Sequence, residues 1–157
     1  MARLPFLMPR AAVRFGFLGL APLAISALIS FSRHHETARI GALSFAIYAA
    51  VLLSFLGGVR CGIEIARDPE HPDPLRLLFS ALPALSGWLL CLFVVVAPAA
   101  LAAASIFAGL FALQYVWDHR SANVGAPIWY PLLRQVLTGG AMIVCLLIPL
   151  ASVLQRF

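Results

Sequence analysis

Charged side chains divide this chain into four uncharged, largely apolar intervals: Phe15–Ser32, Ile40–Val59, Leu77–Trp117 and Gln135–Gln155. The third runs for 41 residues, whereas a membrane span needs only about 20. As one straight helix it would be about 60 Å long, roughly twice the hydrocarbon thickness of a bilayer. It must fold back on itself, and Pro98 near its middle marks the bend. The pattern predicts an all-α polytopic membrane bundle of five transmembrane helices, at residues 15–32, 40–60, 77–97, 99–117 and 134–155 of a single membrane domain spanning 1–157.

The intervals between these helices set the connections. Residues 61–76 read as a polar loop. Its second part, from Arg67 to Arg76, carries three prolines among its charges, which block helix and give an extended surface connector. Residues 121–133 differ, because they hold no charge but include Pro127, Trp129, Tyr130 and Pro131. Amphipathic aromatic rings settle at the headgroup level, so this segment is expected to lie along the interface before the last helix begins. The first apolar interval, with Arg3, Arg10 and Arg14 ahead of it, has the outline of a signal peptide. Its start is long, its apolar core exceeds the usual length, and no small-residue cleavage site precedes Arg33, so it is read as a retained helix.

Composition agrees with the pattern: 62% of residues are hydrophobic and 11% charged, and no polar interval approaches the length of a soluble domain. The net charge of +5 rests on eleven Arg and no Lys. Eight of these (Arg3, Arg10, Arg14, Arg60, Arg67, Arg76, Arg120, Arg134) fall on one side of the predicted bundle and three (Arg33, Arg39, Arg156) on the other. Basic loops stay on the cytoplasmic side, which predicts the N-terminus inside and the C-terminus outside. The charge is thus a topology signal. A nucleic-acid partner would need a basic face on a soluble module, and none is expected. Arginine-only basic content points to a GC-rich genome and a bacterial inner (plasma) membrane. The alternative is the mitochondrial inner membrane, where the same rule puts the N-terminus in the matrix.

Candidate chemistry is sparse. Cys61, Cys91 and Cys145 are far apart and form no CxxC pair, so packing is their expected role. His34 and His35 are adjacent and His71 and His119 are isolated, so neither a metal site nor a cofactor is expected. No G-x-S-x-G or H-E-x-x-H pattern occurs, and no catalytic residue is assigned. Gln114, Tyr115 and Tyr48 are the main polar groups with reach inside the spans. Small residues, Gly57 and Gly58 among them, allow helices to approach closely. The sharpest candidate is an inner-face polar cluster of Arg60, Glu64, Asp118 and Arg134. Charges at a membrane boundary are costly unless paired or hydrated, so Arg60–Asp118 and Arg134–Glu64 are the expected pairs. Such a cluster is either structural or a site for an anionic headgroup, a quinone-like ring or a carboxylate, to which arginine offers a fixed fork of donors.

Three segments carry a family resemblance: Leu18-Gly-Leu-Ala-Pro22, Ser54-Phe-Leu-Gly-Gly-Val-Arg-Cys-Gly62, and Asp118 followed by Pro127-Ile-Trp-Tyr-Pro-Leu-Leu-Arg134. Together they resemble a proteobacterial and mitochondrial family of small multi-pass proteins of unknown function that includes transmembrane protein 69. The resemblance extends over roughly residues 15–150. It departs at Cys61, where the family pattern has Trp, which loosens an aromatic anchor at the interface. It implies a multi-pass fold and singles out Gly57, Gly58, Arg60, Asp118, Trp129, Tyr130 and Arg134 without a reaction. The expected function is a non-catalytic accessory, assembly or scaffold component of a membrane complex, with the lipid bilayer and other membrane-protein subunits as partners. A small transporter or channel and a lipid- or quinone-binding protein are the alternatives.

Overall fold

Residues 8–96, 100–121 and 127–154 are described by the structure, a computed structural model. They form five helices: α1 (Arg10–Ile29), α2 (His35–Arg67), α3 (Pro74–Val96), α4 (Ala100–Ser121) and α5 (Tyr130–Leu154). The bend assigned to Pro98 lies outside the described residues. So do residues 122–126 of the interfacial segment and the chain ends that carry Arg3 and Arg156.

Helix boundaries depart most from the sequence pattern at α2. The interval expected as a loop over 61–76 is helical up to Arg67, and α3 begins at Pro74, which leaves residues 68–73 as the connector. Charge ends a membrane span but not a helix, and Cys61 to Arg67 contains nothing that breaks one. The breakers come later, at Pro69 and Pro72. At about 1.5 Å per residue, the 33 residues of α2 reach about 50 Å, so its ends project well beyond the hydrocarbon. Pro74 starts α3 at the position where a missing N–H does no harm. Asp73 caps it, its Oδ1 accepting from the Leu75 N–H at 2.9 Å and the Arg76 N–H at 3.4 Å. Tyr130, expected in the interfacial segment, is the first residue of α5, with Pro131 in that helix's first turn.

The most extensive packing joins α2 to α3 and α4 to α5. Helix α1 lies against α2 and α5, and α4 also meets α2 and α3. The core between them is built from Leu23, Phe45, Ala49, Leu53, Ala104, Phe107, Phe111 and Cys145. Phe45 meets Phe107 edge to face at 6.2 Å. Backbone-to-backbone approach is tight where glycine allows it. A Cβ on Gly57 would overlap the Ser80 carbonyl oxygen, and one on Gly87 would come within 3.0 Å of the Ala50 Cα, so both hold α2 and α3 together. The Tyr48 hydroxyl donates to the Gly19 carbonyl at 2.7 Å and ties α2 to α1.

The outer surface is apolar. Phe15, Leu28, Leu85 and Leu113 face outward, and Val96 is 84% exposed. Surrounded by water, such a surface would be a continuous aggregation patch. With lipid as solvent it is the expected exterior. Among the described residues, four helices are long and apolar enough to cross a membrane: α1, α2, α3, and α5 over Tyr130–Pro149. The fifth, α4, is not among them. Its last two turns are polar, with Gln114, Asp118, His119 and Arg120.

Candidate functional site

Antiparallel connection brings the end of α2, the start of α3, the end of α4 and the start of α5 to one end of the bundle. Arg60, Glu64, Asp118 and Arg134 all lie there and line one polar cavity of about 150 Å³. They form two networks.

The first is centred on Asp118, which is 8% exposed. Its Oδ1 accepts from Arg60 Nη1 at 2.9 Å and from Gln114 Nε2 at 3.2 Å, while its Oδ2 accepts from Arg134 Nε. One carboxylate therefore joins α2, α4 and α5. Arg134 uses its other donors as well: Nη1 donates to the Tyr130 hydroxyl at 2.6 Å and Nη2 to the Leu56 carbonyl at 3.0 Å. Its guanidinium also lies over the Tyr130 ring at 5.8 Å. Arg60 lies over the Trp117 ring at 5.7 Å. Charge-assisted bonds of this kind are about twice as strong as neutral ones, and here they act where α2, α4 and α5 have no hydrophobic force drawing them together.

The second network is centred on Glu64, a buried carboxylate. Its oxygens face Arg76 Nη1 at 3.4 Å and Arg67 Nη1 at 3.7 Å, and Oε1 accepts from the Asp73 N–H at 3.4 Å. It fixes the 68–73 connector to the end of α2. The expected Arg134–Glu64 pair is thus replaced: Arg134 shares Asp118 with Arg60, and Glu64 takes arginines from its own helix and from α3. The reason is the length of α2. Helix continuing past Gly62 carries Glu64 one turn beyond Arg60, level with the connector, while Arg134 enters beside Leu56, one turn before it.

The two glycines of the motif separate. Gly57 is buried against α3, whereas Gly58 faces outward, and a Cβ there would meet nothing within 4 Å. Trp129 is half-buried, its ring edge-on to Tyr130 at 6.2 Å. Three contributors were not paired with the cluster by sequence reasoning: Gln114, Tyr130 as a hydrogen-bond partner, and Thr138. Each stands four residues from a cluster member (Gln114–Asp118, Tyr130–Arg134, Arg134–Thr138), and that spacing is the signal that could have found them. His119 lies on the cavity wall with Nδ1 3.0 Å from Gln135 Nε2. Among the described residues no group of three His, Cys, Asp or Glu side chains could hold a metal ion. The arrangement can clamp helices and present positive charge to an anion.

Comparison with known proteins extends over nearly the same residues. A family described as "Protein of unknown function (DUF3429)" matches residues 8–151. Transmembrane protein 69 of Xenopus tropicalis is 37% identical over 86 residues, which cover 54% of this chain and 34% of that protein. The chain thus matches about a third of the length of that curated relative. No solved structure matches the chain. With almost its whole length inside the family match, this chain belongs to the DUF3429 family, the membrane-protein family of unknown function that includes transmembrane protein 69.

Proposed function

We propose that this chain is a non-catalytic accessory, assembly or scaffold component of a larger membrane complex. It crosses the bilayer five times, with its arginine-rich end on the cytoplasmic face of a bacterial inner membrane or the matrix face of a mitochondrial one. The observation that carries this reading is the outward face of α2. Ser54, Gly58, Gly62 and Ala66 recur at four-residue spacing along it, all exposed, and a Cβ on Gly58 or Gly62 would meet nothing within 4 Å. Glycine in a helix interior costs about 1 kcal/mol relative to alanine, and nothing among the described residues packs against these two. A Gly-x-x-x-Gly face is the surface against which a second transmembrane helix packs backbone to backbone. The non-catalytic part of the reading is supported by Asp118, whose two oxygens are committed to three donors.

The test is cross-linking in native membranes followed by purification in mild detergent. Wild-type chain should appear in a defined assembly larger than its own 16.9 kDa. Gly58→Leu should leave that assembly while keeping wild-type expression and melting, because position 58 faces outward and a Cβ there meets nothing among the described residues. Wild-type protein recovered only as a single chain, or Gly58→Leu retaining the same partners, would defeat the proposal.

A further inference from the structure

Two concavities meet at Arg60. One is the polar cavity described above. The other is an apolar groove of about 630 Å³ between α3 and α4, walled by leucines such as Leu82, Leu85, Leu89 and Leu113. Arg60 and Trp117 line both. Leu113 is 64% exposed and Leu85 and Leu89 are also exposed, so the groove opens sideways into the lipid. It extends from Phe79 to Leu89 along α3, about 15 Å of helix axis.

Three features of the polar cavity call for a ligand. First, Thr138 lines it and is 2% exposed, and its Oγ1 has no hydrogen-bond partner among the described residues. A buried hydroxyl without a partner is unfavourable and rare. Second, the cavity lining holds Arg60, Arg67, Arg76 and Arg134 against Glu64 and Asp118, an excess of two positive charges. Third, Arg60 has one acceptor, Asp118, among the described residues, which leaves Nε and Nη2 to donate elsewhere. The cavity is about ten times the ~10–15 Å³ that one water needs.

We propose that the two concavities form one binding site for an anionic phospholipid, with its phosphate in the polar cavity and one acyl chain in the α3–α4 groove. The division of labour follows from the solvent. An acyl chain moving from bilayer to groove exchanges one apolar environment for another, so the groove sets position and contributes little affinity. Selectivity comes from the phosphate, which takes charge-assisted bonds from guanidinium donors and a hydrogen bond from Thr138. A choline headgroup would bring a cation among four arginines and is disfavoured. This site does not rest on the proposed partner helix, which would sit on the outward face of α2.

Native mass spectrometry of the full chain, titrated with phosphatidylglycerol or phosphatidylcholine of the same acyl composition, tests the site. Wild type should hold one phosphatidylglycerol in preference to phosphatidylcholine. That preference should fall about tenfold in Arg60→Gln and in Thr138→Val, the loss expected of one hydrogen bond to a charged group. Thr138→Val keeps the shape of the side chain and removes only the unpaired hydroxyl. It therefore decides the matter if Arg60→Gln misfolds. A fall in Thr138→Val upholds the site, and equal wild-type retention of the two lipids, or a preference that Thr138→Val keeps, overturns it. Displacement of the lipid by inorganic phosphate at equal concentration would also overturn a lipid as the occupant.

Discussion

Asp118→Asn is the most informative single perturbation of this bundle. Asparagine preserves size and one acceptor oxygen but turns the other position into an NH2 donor. At Asp118 both oxygens face donors, Arg60 and Gln114 on one and Arg134 on the other, so either orientation of the amide sets donor against donor. The larger effect is electrostatic. Arg134 is 6% exposed and loses its ionised partner, while Arg60 loses its own at the same time. Leaving a buried charge uncompensated costs about 3–5 kcal/mol. The Glu64→Gln change is the internal control, because Arg67 and Arg76 are 38% and 50% exposed and can turn to water, so about 1 kcal/mol or less is expected. Unfolding by denaturing detergent, read from the reactivity of the fully buried Cys145 thiol, measures both variants on one scale. Asp118→Asn within about 1 kcal/mol of wild type, or Glu64→Gln destabilised as much, would refute the assignment of Asp118 as the electrostatic centre.

Three further outcomes follow from the same geometry. Gly57→Ala should destabilise by about 1–3 kcal/mol, since its Cβ meets the Ser80 carbonyl of a neighbouring backbone, while Gly58→Ala should leave stability unchanged or slightly raised; the same thiol-reactivity assay compares the two. Tyr130→Phe should cost about 1.5 kcal/mol by removing the acceptor of Arg134 Nη1 while keeping the ring beneath the guanidinium; a loss equal to that of Asp118→Asn would mean that the ring carries the effect. Reporters active in one compartment, fused to either end, should respond from opposite sides of the membrane, and both responding from the same side would exclude five crossings.

The apolar intervals between charges located all five helices, because a lipid solvent imposes a length and a composition that little else satisfies. Helix ends were less legible. Charge at Arg60 marks the end of the apolar span, yet the backbone of Cys61–Arg67 remains helical until proline intervenes. In the site, the meeting of Arg60 with Asp118 was readable from two charges at one predicted membrane level. The sharing of Asp118 by Arg134 was not, since it depends on how α5 rotates against α2 and α4. Gly57 and Gly58 make the same point. As neighbours they look equivalent in the chain, but about 100° of helical rotation separates them, and this turns one into a backbone contact with α3 and the other toward the exterior.

That rotation also accounts for the composition of α4. A helix wholly exposed to lipid could not carry Gln114, Asp118 and His119 in two turns without large desolvation penalties. Here Asp118 points inward to two guanidinium groups and Gln114 donates to it, and Ala103, Ala104, Phe107, Ala108 and Phe111 continue the same buried face toward the other end. The small residues let α2 and α5 close on α4, and the carboxylate fixes their level once they have closed. Packing along α4 sets how near the helices come, and Asp118 sets their register, which is why the one buried carboxylate shared by three helices sits where three apolar surfaces alone would be free to slide.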